Sequence, residues 1–238
     1  MSDILADEDR KHRIALLAGI AVVSIILWQT TIGGYILYPF TILATWFHEM
    51  GHGLAAMLAG WQFQRLEIYS DGSGVAVSLR PSDGSSLTSA LVAATGPLGP
   101  AIAGSLLIVA SRTEKMTSWA LALVGLALIL STLIWVRSFT GWLVLPALGL
   151  AILALAQWGT AAHKRFGIQL LGVQACISVW HQFGYLFSSG GSVGGELHRS
   201  DTGAIADALL LPYWFWGAAI SVAIIALLGW SFTLAFRR

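Results

Sequence analysis

Two histidines stand four residues apart in the segment His48-Glu49-Met50-Gly51-His52, which we call the HEMGH segment. Residues four apart share one face of a helix, so both imidazoles can present a ring nitrogen to one metal ion. Glu49 lies one step round the helix, where its carboxylate can reach a water molecule at that metal without becoming a ligand. Zinc lowers the pKa of such a water to about 7. The segment therefore predicts a zinc site with Glu49 as the general base.

A third metal ligand has to come from elsewhere in the chain, because a catalytic zinc normally takes three protein ligands. We predict Asp201, which follows a glycine-containing loop, begins a short helix and precedes an apolar segment that can return to the histidines. An ordinary helix N-cap is the alternative role for this aspartate. Asp207 is the next candidate ligand, whereas His181, Glu196 and His198 are expected to be packing or solvated groups.

The composition is that of a membrane protein. Of the 238 residues, 56% are hydrophobic and only 11% are charged, against about 25% charged residues in soluble domains. No charged side chain occurs between Ile14 and Phe47, a stretch too long for one helix across a hydrocarbon core about 30 Å thick. Gly33, Gly34 and Pro39 predict a break that divides this stretch into two helices.

Apolar runs of about 20 residues predict six or seven membrane-spanning helices. They cover residues 14–32, 40–60, 87–110, 116–136, 138–157, 166–187 and 212–236. The HEMGH segment lies near the middle of the second run. We therefore predict an all-α polytopic membrane protein, with residues 1–238 forming a single domain.

Two polar connections interrupt the apolar runs. Residues 61–86 are predicted to contain a small β-hairpin, because apolar and small or polar residues alternate after a Ser-Asp-Gly-Ser-Gly turn. Residues 188–203 form a glycine-rich loop that we expect to be flexible. The segment Thr95–Pro100 holds two glycines and two prolines. A kinked helix is predicted there, beside the polar site that could satisfy its freed backbone groups.

Charge and cysteine content exclude several classes of function. The formal net charge of +1 gives no basic field, so we expect no nucleic-acid partner. The single cysteine, Cys176, excludes an internal disulfide and a cysteine-based zinc site. A membrane metal-ion transporter, or a metal-binding membrane protein that uses the HEMGH segment without proteolysis, is the alternative function, because intramembrane His and Glu also mark ion pathways.

The pattern resembles the site-2 protease family of intramembrane zinc metalloproteases, in particular its divergent bacterial branch. The resemblance rests on the HEMGH segment in an early apolar helix, the hairpin-like segment that follows it, the Gly-Pro motif in Thr95–Pro100 and a late aspartate. The family's usual late motif is Leu-Asp-Gly, whereas Asp201 stands in Arg-Ser-Asp-Thr-Gly.

This resemblance implies a set of roles and a location. His48, His52 and Asp201 would bind zinc, and Glu49 would activate water for peptide-bond hydrolysis. The substrates would be membrane proteins or peptides. The chain would be a multi-pass protein of the lipid bilayer, in the bacterial cytoplasmic membrane.

Overall fold

The computed structural model describes residues 2–181 and 183–236, and within them the fold is mostly helical with two small antiparallel sheets. The helices are α1 (Ser2–Trp28), α2 (Thr31–Leu58), α3 (Ser86–Ala110), α4 (Glu114–Ile134), α5 (Phe139–Trp158), α6 (Ala161–His181), α7 (Phe183–Leu186), α8 (Asp201–Ala208) and α9 (Tyr213–Phe236). The strands are β1 (Gln62–Ile68), β2 (Gly74–Leu79), β3 (Gly190–Val193) and β4 (Glu196–Arg199). The predicted helical fold with a hairpin after the HEMGH helix is confirmed.

Four of these helices, α3, α4, α5 and α9, are long and apolar enough to cross a membrane by themselves. Helices α1 (from Ile14) and α2 meet the same criterion only as a pair, which is bent by 118° at its break. The chain is therefore an integral membrane protein with four such helices, or five spans if the bent pair counts as one. Six or seven spans are not confirmed. Helix α6 falls short because basic and amide side chains lower its hydropathy.

The break in the first apolar stretch lies earlier than predicted. Helix α1 ends at Trp28 and α2 begins at Thr31, so Gly33, Gly34 and Pro39 all lie inside α2. The Thr30 hydroxyl caps α2 by accepting a hydrogen bond from the Gly33 N–H at 3.0 Å. A Cβ at Gly33 would overlap the backbone of Leu27. This glycine thus permits the sharp fold-back of α1 against α2, although it does not end a helix.

The hairpin of β1 and β2 is fixed along α2. Its strands pair in register from Gln62–Leu79 to Ile68–Gly74, with a bulge between Phe63 and Arg65. At its turn, Thr45 donates a hydrogen bond to the Gly72 carbonyl at 2.6 Å, and Tyr38 donates to the Ser70 carbonyl at 3.0 Å. Because Thr45 and Tyr38 both belong to α2, the turn is held one to three helical turns before the HEMGH segment.

The two edges of this hairpin differ in their surroundings. Leu66 of β1 exchanges backbone hydrogen bonds of 2.9 Å with Trp135 and Arg137 in the connection between α4 and α5. That connection occupies the outer edge of β1. Among the described residues no strand or isolated bridge pairs with the outer edge of β2. One face of β2 packs on α2, where Gly74 lies against the side chains of Thr45 and Glu49.

The region predicted as a glycine-rich loop contains a second hairpin, in which β3 pairs with β4 from Gly190–Arg199 to Val193–Glu196. Gly194 and Gly195 take positive φ angles of 58° and 88° at its turn, a backbone conformation that glycine adopts at little cost. The loop glycines therefore serve a tight turn. The hairpin leads directly into α8 and so determines where Asp201 begins that helix.

Helices α2 and α3 pack with their backbones in close approach. A Cβ at Gly51 of α2 would overlap the Thr95 carbonyl, and a Cβ at Gly99 of α3 would overlap the Phe47 carbonyl. Small residues at such a contact allow membrane helices to approach closely. The expectation that Thr95–Pro100 lies beside the polar site is confirmed, and Pro97 and Pro100 are accommodated within α3.

Candidate metal centre

Three side chains from two distant parts of the chain converge on one point. Helix α2 presents His48 and His52 from successive turns, and α8 presents Asp201 from its first residue. The Nε2 atoms of the two histidines lie 3.2 Å apart. Asp201 Oδ2 lies 3.0 Å from His48 Nε2, and Asp201 Oδ1 lies 3.1 Å from His52 Nε2. The fold thus brings together residues that lie about 150 positions apart in the sequence.

The backbone around Asp201 is held by neighbouring polar residues. Ser200 is the N-cap of α8, since its hydroxyl accepts a hydrogen bond from the Gly203 N–H at 3.0 Å, and it donates to the Ser188 carbonyl at 2.5 Å. Asp201 is therefore not the capping residue, and its carboxylate points toward the histidines. The alternative role considered for it from the sequence, an ordinary N-cap, belongs to its neighbour.

Asp207, the second candidate ligand, is engaged elsewhere. Arg199 donates to both of its carboxylate oxygens, at 2.8 and 2.5 Å, in an exposed pair. This pair links the end of β4 to α8. Glu196 and His198 are exposed on β4, and the side chain of His181 lies outside the described part of the chain. Among the side chains that the structure describes, only the group of His48, His52 and Asp201 has the spacing of a metal site.

The orientation of the His52 ring favours a metal at its Nε2 atom. Its Nδ1 lies 2.9 Å from the Val92 carbonyl oxygen. A carbonyl can only accept, so Nδ1 carries the proton and donates, which leaves a lone pair on Nε2 in the neutral ring. Metal-binding histidines commonly use their second nitrogen in this way.

The separations between the three groups are close to those around a tetrahedral zinc. Zinc binds His nitrogen and carboxylate oxygen at about 2.0–2.2 Å, which places neighbouring tetrahedral ligands about 3.3–3.6 Å apart. The observed separations of 3.0–3.2 Å are slightly shorter, and each histidine Nε2 faces a different oxygen of Asp201. Asp201 Oδ2 is buried and has no hydrogen bond of good geometry, and it faces His48 Nε2 at 3.0 Å. A metal ion between these two atoms would satisfy both of them. The donor set of two imidazoles and one carboxylate is also one that zinc uses in peptidases.

Gly96 of α3 forms one wall of this centre. A Cβ built at this position would overlap Nε2 of His52 and lie 2.7 Å from Nε2 of His48. The space beside the two ligand nitrogens therefore depends on the absence of a side chain at Gly96. The sequence indicated a kinked helix nearby but did not show which glycine touches the ligands.

Glu49 is buried beside these three residues, with 6% of its surface exposed. It lies close enough to His48, His52 and Asp201 to interact with them electrostatically, and the backbone N–H of Ala76 in β2 lies against its carboxylate. Glu49 thus lies between the three converging residues and β2. This is the position a base needs to act on a molecule bound between them.

The electrostatic surroundings shift the pKa of Asp201 and of the nearby Tyr185. Burial favours the neutral form of Asp201, but the two imidazoles outweigh burial and hold its pKa below the usual range, so the carboxylate is ionised. Tyr185 of α7 donates to the Arg199 carbonyl at 3.3 Å. Burial and then the carboxylates of Asp201 and Glu49 raise the pKa of its hydroxyl, which stays protonated. No spacing in the sequence pointed to Tyr185.

One of three comparisons with known proteins gives a match. A family model described as Peptidase M50B-like matches residues 16–231, nearly the whole chain. No curated protein and no solved structure matches significantly. The match includes α2, the first hairpin, α3 and α8, which together supply every residue of the centre described above.

Proposed function

The chain belongs to the Peptidase M50B-like family, within the site-2 proteases, and from this premise we propose that it is an intramembrane zinc metalloprotease acting on membrane-associated polypeptides. The observation that carries the proposal is the convergence of His48, His52 and Asp201 beside the buried Glu49. His48, His52 and Asp201 would hold the zinc ion, and Glu49 would be the general base. Zinc, when bound, would polarise the scissile carbonyl and make water more acidic.

The chain's own residues would then move one proton. The Glu49 carboxylate takes a proton from the attacking water, and the same carboxyl group passes it to the nitrogen of the leaving amine as the peptide bond breaks. Burial of Glu49 under β2 excludes bulk water. The hydrogen bond from His52 Nδ1 to the Val92 carbonyl keeps this ring in one orientation during the reaction.

The outer edge of β2 offers a place for the substrate backbone. An extended peptide can add to an exposed strand edge through main-chain hydrogen bonds. The corresponding edge of β1 is taken by Trp135–Arg137, so β2 is the edge that an incoming strand would use. Because Gly74 and Ala76 of β2 lie against Glu49, a peptide on this edge would run past the general base. A helical substrate would have to unwind locally to bind in this way.

The assignment of the third ligand can be tested by metal content. Asp201→Ala removes a carboxylate that contacts both histidines, and we expect zinc affinity to fall by more than about 100-fold, the upper end for changes that spare the direct ligands. Asp207→Ala is the matched control, since it removes an aspartate of the same helix that is paired with Arg199. Its zinc affinity should stay within about threefold of the wild type.

The measurement is zinc stoichiometry by mass spectrometry, together with competition against a fluorescent chelator, on proteins purified in detergent. Wild-type zinc binding by Asp201→Ala would remove this residue from the ligand set. Reconstituted vesicles would separate proteolysis from metal transport: zinc uptake dependent on His48 and His52, without cleavage of any membrane polypeptide, would favour the transporter.

A further inference from the structure

A cavity lies between the beginning of α4 and the end of α5. It has a volume of about 460 Å³, and most of its surface is apolar. Its lining comes from residues between 118 and 122 of α4 and between 150 and 158 of α5, and includes no residue of the metal centre. Its walls belong to two helices that are each able to cross a membrane, so the cavity opens toward lipid.

One end of this cavity is polar and positively charged. The Lys164 ammonium group, at the start of α6, donates to the Ser118 hydroxyl at 3.2 Å, which places a cation at the rim of the cavity. Gln157 lies on the same rim. Arg112 precedes α4, Lys115 lies in the first turn of α4, and Arg165 follows Lys164 in α6. Glu114 is the one acidic residue between 111 and 166. An anion would therefore be attracted to this end.

Two tryptophans place this rim at the membrane surface. Trp119 is 70% exposed in the second turn of α4, and Trp158 is 81% exposed as the last residue of α5. Tryptophan is enriched where the hydrocarbon core meets the headgroups. The polar rim is thus at headgroup depth, while Leu150 and Leu153 line the part that extends into the hydrocarbon region.

We propose that this cavity binds an anionic phospholipid, with the headgroup phosphate at Lys164 and Ser118 and an acyl chain between α4 and α5. The apolar lining and the cationic rim match the two halves of such a molecule, and basic pockets between membrane helices are known to select anionic headgroups. A bound lipid would link the α3–α4 and α5–α6 connections, because Ser118 follows the first and Lys164 follows the second. This site is independent of the proposed peptidase activity.

The test is lipid titration of the purified full-length protein in detergent, with bound lipids counted by native mass spectrometry. We expect the wild type to bind phosphatidylglycerol more tightly than phosphatidylcholine of the same acyl chains. Lys164→Gln should weaken phosphatidylglycerol binding about fivefold, as expected for the loss of one basic group at a membrane surface. Ala154→Phe, which fills the apolar part, should weaken the binding of both lipids.

Lys115→Gln is the matched control, because Lys115 is exposed at the same end of the protein but does not line the cavity. It should leave the lipid preference nearly unchanged. Equal losses in Lys115→Gln and Lys164→Gln would show a diffuse attraction and overturn the proposal. Inorganic phosphate that displaced phosphatidylglycerol at the same molar concentration would also overturn it, since the acyl chain would then contribute nothing.

Discussion

Glu49→Gln should lower the rate of peptide cleavage by about 10²–10⁴-fold, the usual contribution of a general acid–base group, while zinc stays bound. The substitution keeps the size of the side chain and its position beneath β2, where 6% of the residue is exposed. It removes the carboxylate that accepts the proton from water. It leaves His48, His52 and Asp201 unchanged, so metal content separates a loss of chemistry from a loss of the site.

The measurement uses purified protein with two kinds of probe, dye-labelled casein as an unfolded chain and dye-labelled single-span polypeptides in detergent. Glu114→Gln is the matched control, because this glutamate is exposed in the first turn of α4, away from the centre. It should cleave at the wild-type rate. Cleavage by Glu49→Gln at that same rate would rule out the role of Glu49. A zinc-loaded wild type that cleaves neither probe would contradict the proposed function.

Local patterns were enough to predict much of the fold. Apolar runs located α3, α4, α5 and α9 to within a few residues, because each run must be about as long as the hydrocarbon core is thick. Alternation of side chains around a glycine-rich turn located β1 and β2. The break near residue 30 was placed wrongly, because it depends on the contact between Gly33 and the Leu27 backbone. Such a contact exists only after α1 and α2 have packed.

Some residues of the candidate site follow from local sequence spacing, and others come together only in the tertiary structure. The relation between His48, Glu49 and His52 follows from helix geometry alone and needs no tertiary structure. Asp201 could be proposed only because a third ligand was needed, and its place beside the histidines depends on how the second hairpin leads into α8. Gly96 and Tyr185 were not predicted from the sequence. Gly96 matters because it lacks a side chain beside the imidazoles, and Tyr185 matters because of contacts with residues distant in the sequence. Neither role has a sequence motif.

Gly96→Ala should abolish zinc binding although no ligand is changed. The new Cβ would overlap Nε2 of His52 and lie 2.7 Å from Nε2 of His48, closer than any carbon approaches a ring nitrogen without displacing it. Both histidines belong to a helix whose backbone is packed against α3 at Gly51 and Gly99, so the rings cannot retreat together with α2. We expect zinc affinity to fall by more than about 100-fold, because two of the three ligand atoms lose their geometry at once.

Gly99→Ala is the matched control for Gly96→Ala, and together they separate the metal site from helix packing. Gly99 lies three residues further along α3, where a Cβ would overlap the Phe47 carbonyl and reach the Cα of His48 only at an ordinary contact distance of 3.5 Å. Overpacking of this kind costs about 1–3 kcal/mol, so the thermal midpoint should fall while zinc still binds in the folded protein. Zinc affinity and thermal unfolding are measured on both variants, with Gly229→Ala as a change into open space. Gly96→Ala should lose more zinc affinity, whereas Gly99→Ala should show the larger fall in the thermal midpoint. If Gly96→Ala kept wild-type zinc affinity, the two Nε2 atoms would not be the ligands, because a metal between them cannot share that space with a methyl group.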